Sequence, residues 1–204
     1  PRDSQLRRDV ARLERVEGVR GTPVHVQKVS DWTDQANAFA VGFGPSTNVV
    51  VWDTLLDHRF TRGEVNVVIA HELGHVKKHH IPKAILWFAL IAFPLAFVVA
   101  ELTERRGGLQ DPANLPYAFL VLTIAGLLAA PLESYVSRRY EAEADWRALR
   151  ATNDPASMRR LFRSFERTSL QEPNPPTWEY VWQENHPTLM QRIAMAERYA
   201  EGRR

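Results

Sequence analysis

The sequence predicts a mainly helical α+β fold, in which a small β-sheet leads into amphipathic helices and a helical hairpin is inserted in a membrane. Three observations carry this reading. Apolar residues recur at helical spacing over most of the chain, short β-branched or alternating runs lie near its start, and two long apolar stretches interrupt the pattern after Lys83. A length of 204 residues suits one domain, 1–204, with the hairpin at about 84–136 set into it. A formal charge of +2 provides no strongly basic face, which sets nucleic-acid binding aside. With no cysteine, disulfides and thiolate ligands are excluded, so any metal must be held by histidine and carboxylate. The chain opens on proline with no apolar leader and cleavage site after it, so the expectation is of a fragment or processed form.

Taken in order, Leu6, Val10, Leu13 and Val16 fall three and four apart among charged residues, the pattern of an amphipathic helix on the domain edge. Val24-His25-Val26-Gln27-Lys28-Val29 alternates in polarity, and Asn48-Val49-Val50-Val51-Trp52 is β-branched. Both read as strands around Asn37-Ala38-Phe39-Ala40. Thr61-Arg62-Gly63-Glu64 is a capping-box pattern, and Val65, Val68, Ile69, Leu73 and Val76 continue it as the apolar stripe of a helix of about four turns.

The stretches Ala84–Ala100 and Leu115–Val136 each approach the roughly 20 residues that cross a bilayer. The alternative, two core helices of a soluble protein, requires burial on all sides, which so short a chain could hardly supply. Lys77, Lys78, Lys83, Arg138 and Arg139 flank the pair, against Arg105 and Arg106 between them. This bias places the side carrying His71 in the cytoplasm, with the plasma membrane as the expected location. A polar helix is expected from Ser137 to about Arg150, and another over 155–168 with Met158, Leu161, Phe162 and Phe165 inward. The prolines of Glu172-Pro173-Asn174-Pro175-Pro176 enforce a loop. Trp178, Tyr180 and Trp182 alternate like one face of a strand, suited to a membrane interface or to a core. A last helix begins near Pro187 with Leu189, Ile193 and Ala196 on one face.

His71-Glu72-Leu73-Gly74-His75 is the motif with the most chemistry. Residues four apart share a helix face, so both imidazoles can bind one metal while Glu72 points toward a water bound there, the pattern of a metallopeptidase. A third ligand is needed. The position six after His75, where a metzincin has histidine, is Ile81, and His79 lies too far along the axis and reads as a surface histidine. Glu141 and Asp145 also share a face. Glu141 could then bind metal while Asp145 orients a ligand histidine or pairs with an arginine, with Glu143 pointing elsewhere. On spacing alone, an ordinary solvated charged helix fits those residues equally well.

These motifs resemble the integral-membrane zinc peptidases that include the CAAX prenyl endopeptidases and the HtpX heat-shock proteases. That family carries a histidine-glutamate motif on one helix, a membrane hairpin, and then Ser-Arg-x-x-Glu-x-x-Ala-Asp, matched here by Ser137, Arg138, Glu141, Ala144 and Asp145. Asn37-Ala38 before the motif, His186-Pro187 and Arg192-Ile193 also match, so the resemblance covers about 21–200. Val51-Trp52-Asp53-Thr54-Leu55-Leu56 and the proline-rich approach to His186 look closer to the prenyl branch, although the further membrane helices expected at its front are absent.

The resemblance implies a zincin-like core of the gluzincin type and a zinc-dependent membrane endopeptidase. In it His71, His75 and Glu141 would hold one Zn2+ per chain, and Glu72 would act as general base for attack by metal-bound water. It further implies that His186 supports the charge developing on the substrate, in place of merely capping the last helix, and that Arg192 pairs with Asp145. Asn37, Ala38 and Phe39 would line the cleft on an edge strand and bind a peptide or protein substrate in extended form, with the lipid bilayer as the other partner. A quality-control protease and a prenyl-branch enzyme share this chemistry. The rival from another class is a catalytically silent membrane scaffold with a structural zinc, which would have no use for Glu72.

Overall fold

The computed structural model describes residues 3–168 and 172–202. Helix α1 (Ser4–Glu17) is started by Asp3, whose carboxylate accepts from the Gln5 amide, and ended by Gly18 in the left-handed region. Leu6, Val10 and Leu13 are buried as expected, whereas Val16 is exposed, because the helix turns its last apolar residue past the edge of the core. Strands β1 (Val24–Gln27), β2 (Ala38–Val41) and β3 (Asn48–Trp52) form one sheet in the order β1-β3-β2. β1 runs parallel to β3 and β2 antiparallel to it, in the register Ala38 to Val51 and Ala40 to Val49. Strand β1 stops two residues short of the alternating run, because the Asp53 carboxylate takes the amides of Val29 and Ser30.

Helix α2 (Arg62–Lys78) carries the predicted capping box. The Thr61 amide donates to Glu64, the Glu64 amide donates back to Thr61 Oγ1, and two of the four orphan donors of a helix start are satisfied. Burial is wider than one stripe, for Val67 and Ala70 are enclosed along with Val65, Ile69 and Leu73. The sheet covers one side of α2 and later helices cover the other. His79 ends the helix in the left-handed region, with φ 54°, and the chain restarts at once as α3 (His80–Glu104).

The two apolar stretches form α3 and α4 (Leu115–Thr152), both long and apolar enough to cross a membrane. Only 6% of each apolar window is buried within the chain, and Phe88, Phe93, Phe97 and Leu128 are exposed, so neither is a core helix. The apolar run ending at Val136 and the polar run from Ser137, expected as separate elements, are one unbroken helix of 38 residues. At 1.5 Å per residue it is about 57 Å long, well beyond the roughly 30 Å of a bilayer's apolar core.

Helix α5 (Pro155–Thr168) buries Met158, Leu161 and Phe162, and α7 (Leu189–Glu201) buries Leu189, Ile193 and Ala196, both as their spacing predicts. Thr188 caps α7 through the Gln191 amide. Trp178, Tyr180 and Trp182 belong to a helix, α6 (Thr177–Trp182), and not to a strand. Six residues cannot separate the two periods, and Pro176 ahead of them starts a helical turn.

Helices α2 and α4 meet at Gly74. A Cβ built there would lie 3.4 Å from both the Ala144 Cα and the Arg147 Cβ, so the space admits a methyl group and nothing larger. Because Ala144 sits between Glu141 and Asp145, this contact sets how closely those carboxylates approach α2. Gly74→Ala is expected to bind metal like the wild type. Gly74→Val is expected to force α4 outward, at an overpacking cost of about 1–3 kcal/mol, and to lose metal in a titration of the purified protein.

Candidate metal centre

One helical turn apart on α2, His71 and His75 present their Nε2 atoms to the same point, 3.0 Å from each other. Helix α4 brings Glu141 over that point, with Oε2 3.3 Å from His71 Nε2 and Oε1 3.3 Å from His75 Nε2. All three side chains are at most 15% exposed. Ligand atoms 2.0–2.1 Å from a tetrahedral zinc are separated by about 3.3 Å, so these spacings suit one zinc-sized cation. Glu141 Oε2 is buried with no hydrogen-bond partner, an orphaned acceptor that a cation would satisfy. Burial disfavours a charge on His71, yet the Asp145 and Glu141 carboxylates together outweigh it and push its pKa up to about 10. The donor set therefore attracts positive charge, and with two nitrogens and a carboxylate it fits zinc.

Each imidazole is held from behind. His71 Nδ1 lies 2.9 Å from Asp145 Oδ1, and Arg192 on α7 grips the same carboxylate with Nε at 2.7 Å and Nη2 at 2.6 Å. The pairing of Asp145 with Arg192 expected from the sequence is thus present, and Asp145 also meets His71. His75 is held by a residue that the sequence reading passed over. His80 Nδ1 lies 2.9 Å from His75 Nδ1, its Nε2 lies 3.2 Å from Glu143 Oε2, and its ring stacks on Tyr140. Glu143 is in turn paired with Lys78. The left-handed turn at His79 is what returns His80 toward His75, and a continuous helix would carry it away. The only sequence signal was the His79-His80 doublet, of which His79 is exposed as expected.

Glu72 is 9% exposed and accepts the Ala40 amide of β2 at 2.9 Å. Burial raises its pKa above the ordinary carboxyl range, against the pull of the two histidines. His186, on the loop before α7, places Nε2 3.3 Å from Glu141 Oε2 and is half-exposed, outside the three-donor cluster. A cavity of about 260 Å³ joins these groups and is lined by His71, Glu72, Glu141, His186, Asn37 and Ala38. Strand β2 lies at the sheet edge. Asn37 accepts the Trp52 amide, so antiparallel alternation turns the main-chain groups of Phe39 toward β3 and those of Ala38 and Ala40 outward.

Two imidazoles and a carboxylate converging on one point, with a buried glutamate on the imidazoles' helix, match the donor pattern of a zincin-type metallopeptidase centre. The Peptidase family M48 model matches residues 1–200, and the chain belongs to that family. It is 27% identical over 186 residues to the uncharacterized metalloprotease YhfN of Bacillus subtilis, covering 85% of this chain and 43% of that protein. A protease HtpX homolog of Acidiphilium cryptum is 30% identical over 169 residues, covering 81% and 58%. A CAAX prenyl protease 1 homolog of Oryza sativa subsp. japonica is 26% identical over 174 residues, covering 81% and 40%. The fold matches the crystal structure of S. mikatae Ste24p with a TM-score of 0.79 at 23% identity, over 94% of this chain and 49% of that one. The chain thus spans about half the length of these relatives. Both named branches match at similar identity, so the comparisons favour neither.

If His80 orients His75, then His80→Ala is expected to weaken metal binding about 10–100-fold, read by competition with a chromogenic chelator. Unchanged affinity would reduce His80 to packing against Tyr140.

Proposed function

We propose that this chain is the catalytic part of a zinc-dependent membrane endopeptidase, with one zinc held by His71, His75 and Glu141. The observation that carries the reading is the Glu141 carboxylate, with Oε2 orphaned, whose two oxygens each face one imidazole nitrogen of the His71 and His75 pair at zinc-ligand spacing. When bound, zinc would supply Lewis acidity, polarising the substrate carbonyl and lowering the pKa of water toward about 7.

The protein's own groups do the rest. Glu72, uncharged more readily than an exposed glutamate because it is buried, takes a proton from the attacking water and delivers it to the leaving amine. The Ala40 amide fixes the orientation of that carboxylate. His186 Nε2 lies 3.3 Å from the same Glu141 oxygen that faces His71, at the edge of the cluster, where it can donate to the oxyanion that develops on the substrate. Asp145 and Arg192 hold His71 in one tautomer and direction, so the ligand does not reorganise during the reaction.

An extended peptide fits beside β2 as an added strand, hydrogen-bonding the outward main-chain groups of Ala38 and the Ala40 carbonyl, the Ala40 amide being taken by Glu72, while Asn37 borders the cavity. Leu55, Val67, Leu161 and Phe162 form the cavity's apolar wall and suit an apolar substrate side chain. This mode selects unfolded or flexible segments, since a folded strand has no free edge to offer. The charge bias around the hairpin favours a cytoplasmic face at the plasma membrane, and the Val51–Leu56 motif favours the prenyl branch.

The silent-scaffold alternative is tested by Glu72→Gln. The variant is expected to retain zinc while hydrolysis of a quenched fluorescent peptide falls about 10²–10⁴-fold. Turnover equal to wild type would remove Glu72 from the mechanism.

A further inference from the structure

Residues 180–184, just ahead of His186, are fastened to α4 by Arg138 and by Trp182, with a longer 3.5 Å bond from Ser134 Oγ to the Trp182 carbonyl between them. Arg138 is buried, and its Nη1 donates to the carbonyls of Tyr180 and Glu184, both at 2.7 Å. Its guanidinium carbon lies 4.4 Å from the centroid of the Tyr180 ring. The Trp182 attachment arises from Pro131, which has no amide hydrogen to give to the Leu127 carbonyl one turn earlier. The indole Nε1 of Trp182 donates to that carbonyl instead, at 3.0 Å.

The chain leaves Glu184 two residues before His186. Glu141 follows Arg138 by three residues on the same helix, and so lies on the same face. One rigid helix therefore carries both the proposed metal ligand and the grip on the loop whose imidazole faces that ligand. A loop histidine that is half-exposed has little packing of its own to fix it. A lysine at 138 could place a charge nearby, but it has no planar head to stack on Tyr180 or to hold two carbonyls at fixed angles.

We propose that Arg138 is a positioning residue for peptide hydrolysis: by gripping the Tyr180 and Glu184 carbonyls it fixes the His186 imidazole relative to Glu141. The proposal rests on the endopeptidase reading above, in which His186 supports the developing charge. A purely structural Arg138 would fasten α6 without regard to what His186 does, and the two roles part in a double-mutant cycle.

The test uses the full chain in detergent micelles, loaded with zinc. Arg138→Lys is expected to lower kcat about 10²-fold, as a displacement of about 1 Å can, with KM and zinc content near wild type. In a His186→Ala background the same substitution is expected to change kcat little, because the group it positions is gone. Hydrogen exchange of the amides over 180–186 is expected to quicken in Arg138→Lys. An equal loss of kcat in both backgrounds would overturn the proposal, and so would unchanged exchange over 180–186. If wild-type protein cleaves no peptide, the endopeptidase reading fails by itself, and the exchange measurement still decides whether Arg138 holds the loop. Should Arg138→Lys fail to fold, Arg138→Gln, which keeps a planar head but loses the charge and one arm of the fork, is read in the same cycle with His186→Ala.

Discussion

The buried carboxylate of Asp145 is the contact on which the rest of the centre depends. It is 1% exposed and meets His71 from α2 on one side and Arg192 from α7 on the other. An isolated carboxylate so deep would be very costly, and only pairing with hydrogen bonds on both oxygens makes it tolerable. Three helices distant in sequence are thereby held at one carboxylate, and removing Arg192 would strand its charge at a penalty of about 3–5 kcal/mol. Given that anchor, the remaining geometry follows. Helix α4 lies against Gly74, Glu141 comes over the two imidazoles, and the Arg192 guanidinium, stacked 4.0 Å over the Phe162 ring, ties the site to the core of α5.

The same helix reconciles two solvents. Its first part, to about Val136, exposes apolar side chains and forms with α3 the pair long and apolar enough to cross a membrane. Its second part carries Arg138, Glu141 and Asp145 into the water-facing domain. Because α4 runs on as one helix past Pro131, its apolar part and its donor residues belong to a single element. The turn at His79 separates α2 from α3 at the edge of the site and returns His80 as a brace for His75.

Much of this was legible in the sequence because it is local. The capping box at Thr61, the i, i+4 pair His71 and His75, the apolar faces of α5 and α7, and the length of the two apolar runs each follow from spacing within one element. Glu141 and Asp145 were legible only in part. Their spacing puts them on one face, yet a solvated helix has the same spacing, and what decides is the close approach at Gly74 between helices about 70 residues apart. The brace by His80 was hidden for a related reason, since a left-handed residue resets helical phase and periodicity cannot follow the chain through it. Reading α6 as a strand failed where six residues are too few to show a period.

The central claim is that a three-donor cation site spans α2 and α4, with Glu141 as the donor from α4. The most direct measurement is the metal content of detergent-purified protein by mass spectrometry, wild type against Glu141→Ala. About one zinc per chain in the wild type, lost in the variant, is the predicted result. Zinc retained at the same stoichiometry and affinity by Glu141→Ala would contradict it, and would mean that the orphaned carboxylate oxygen faces something other than a metal.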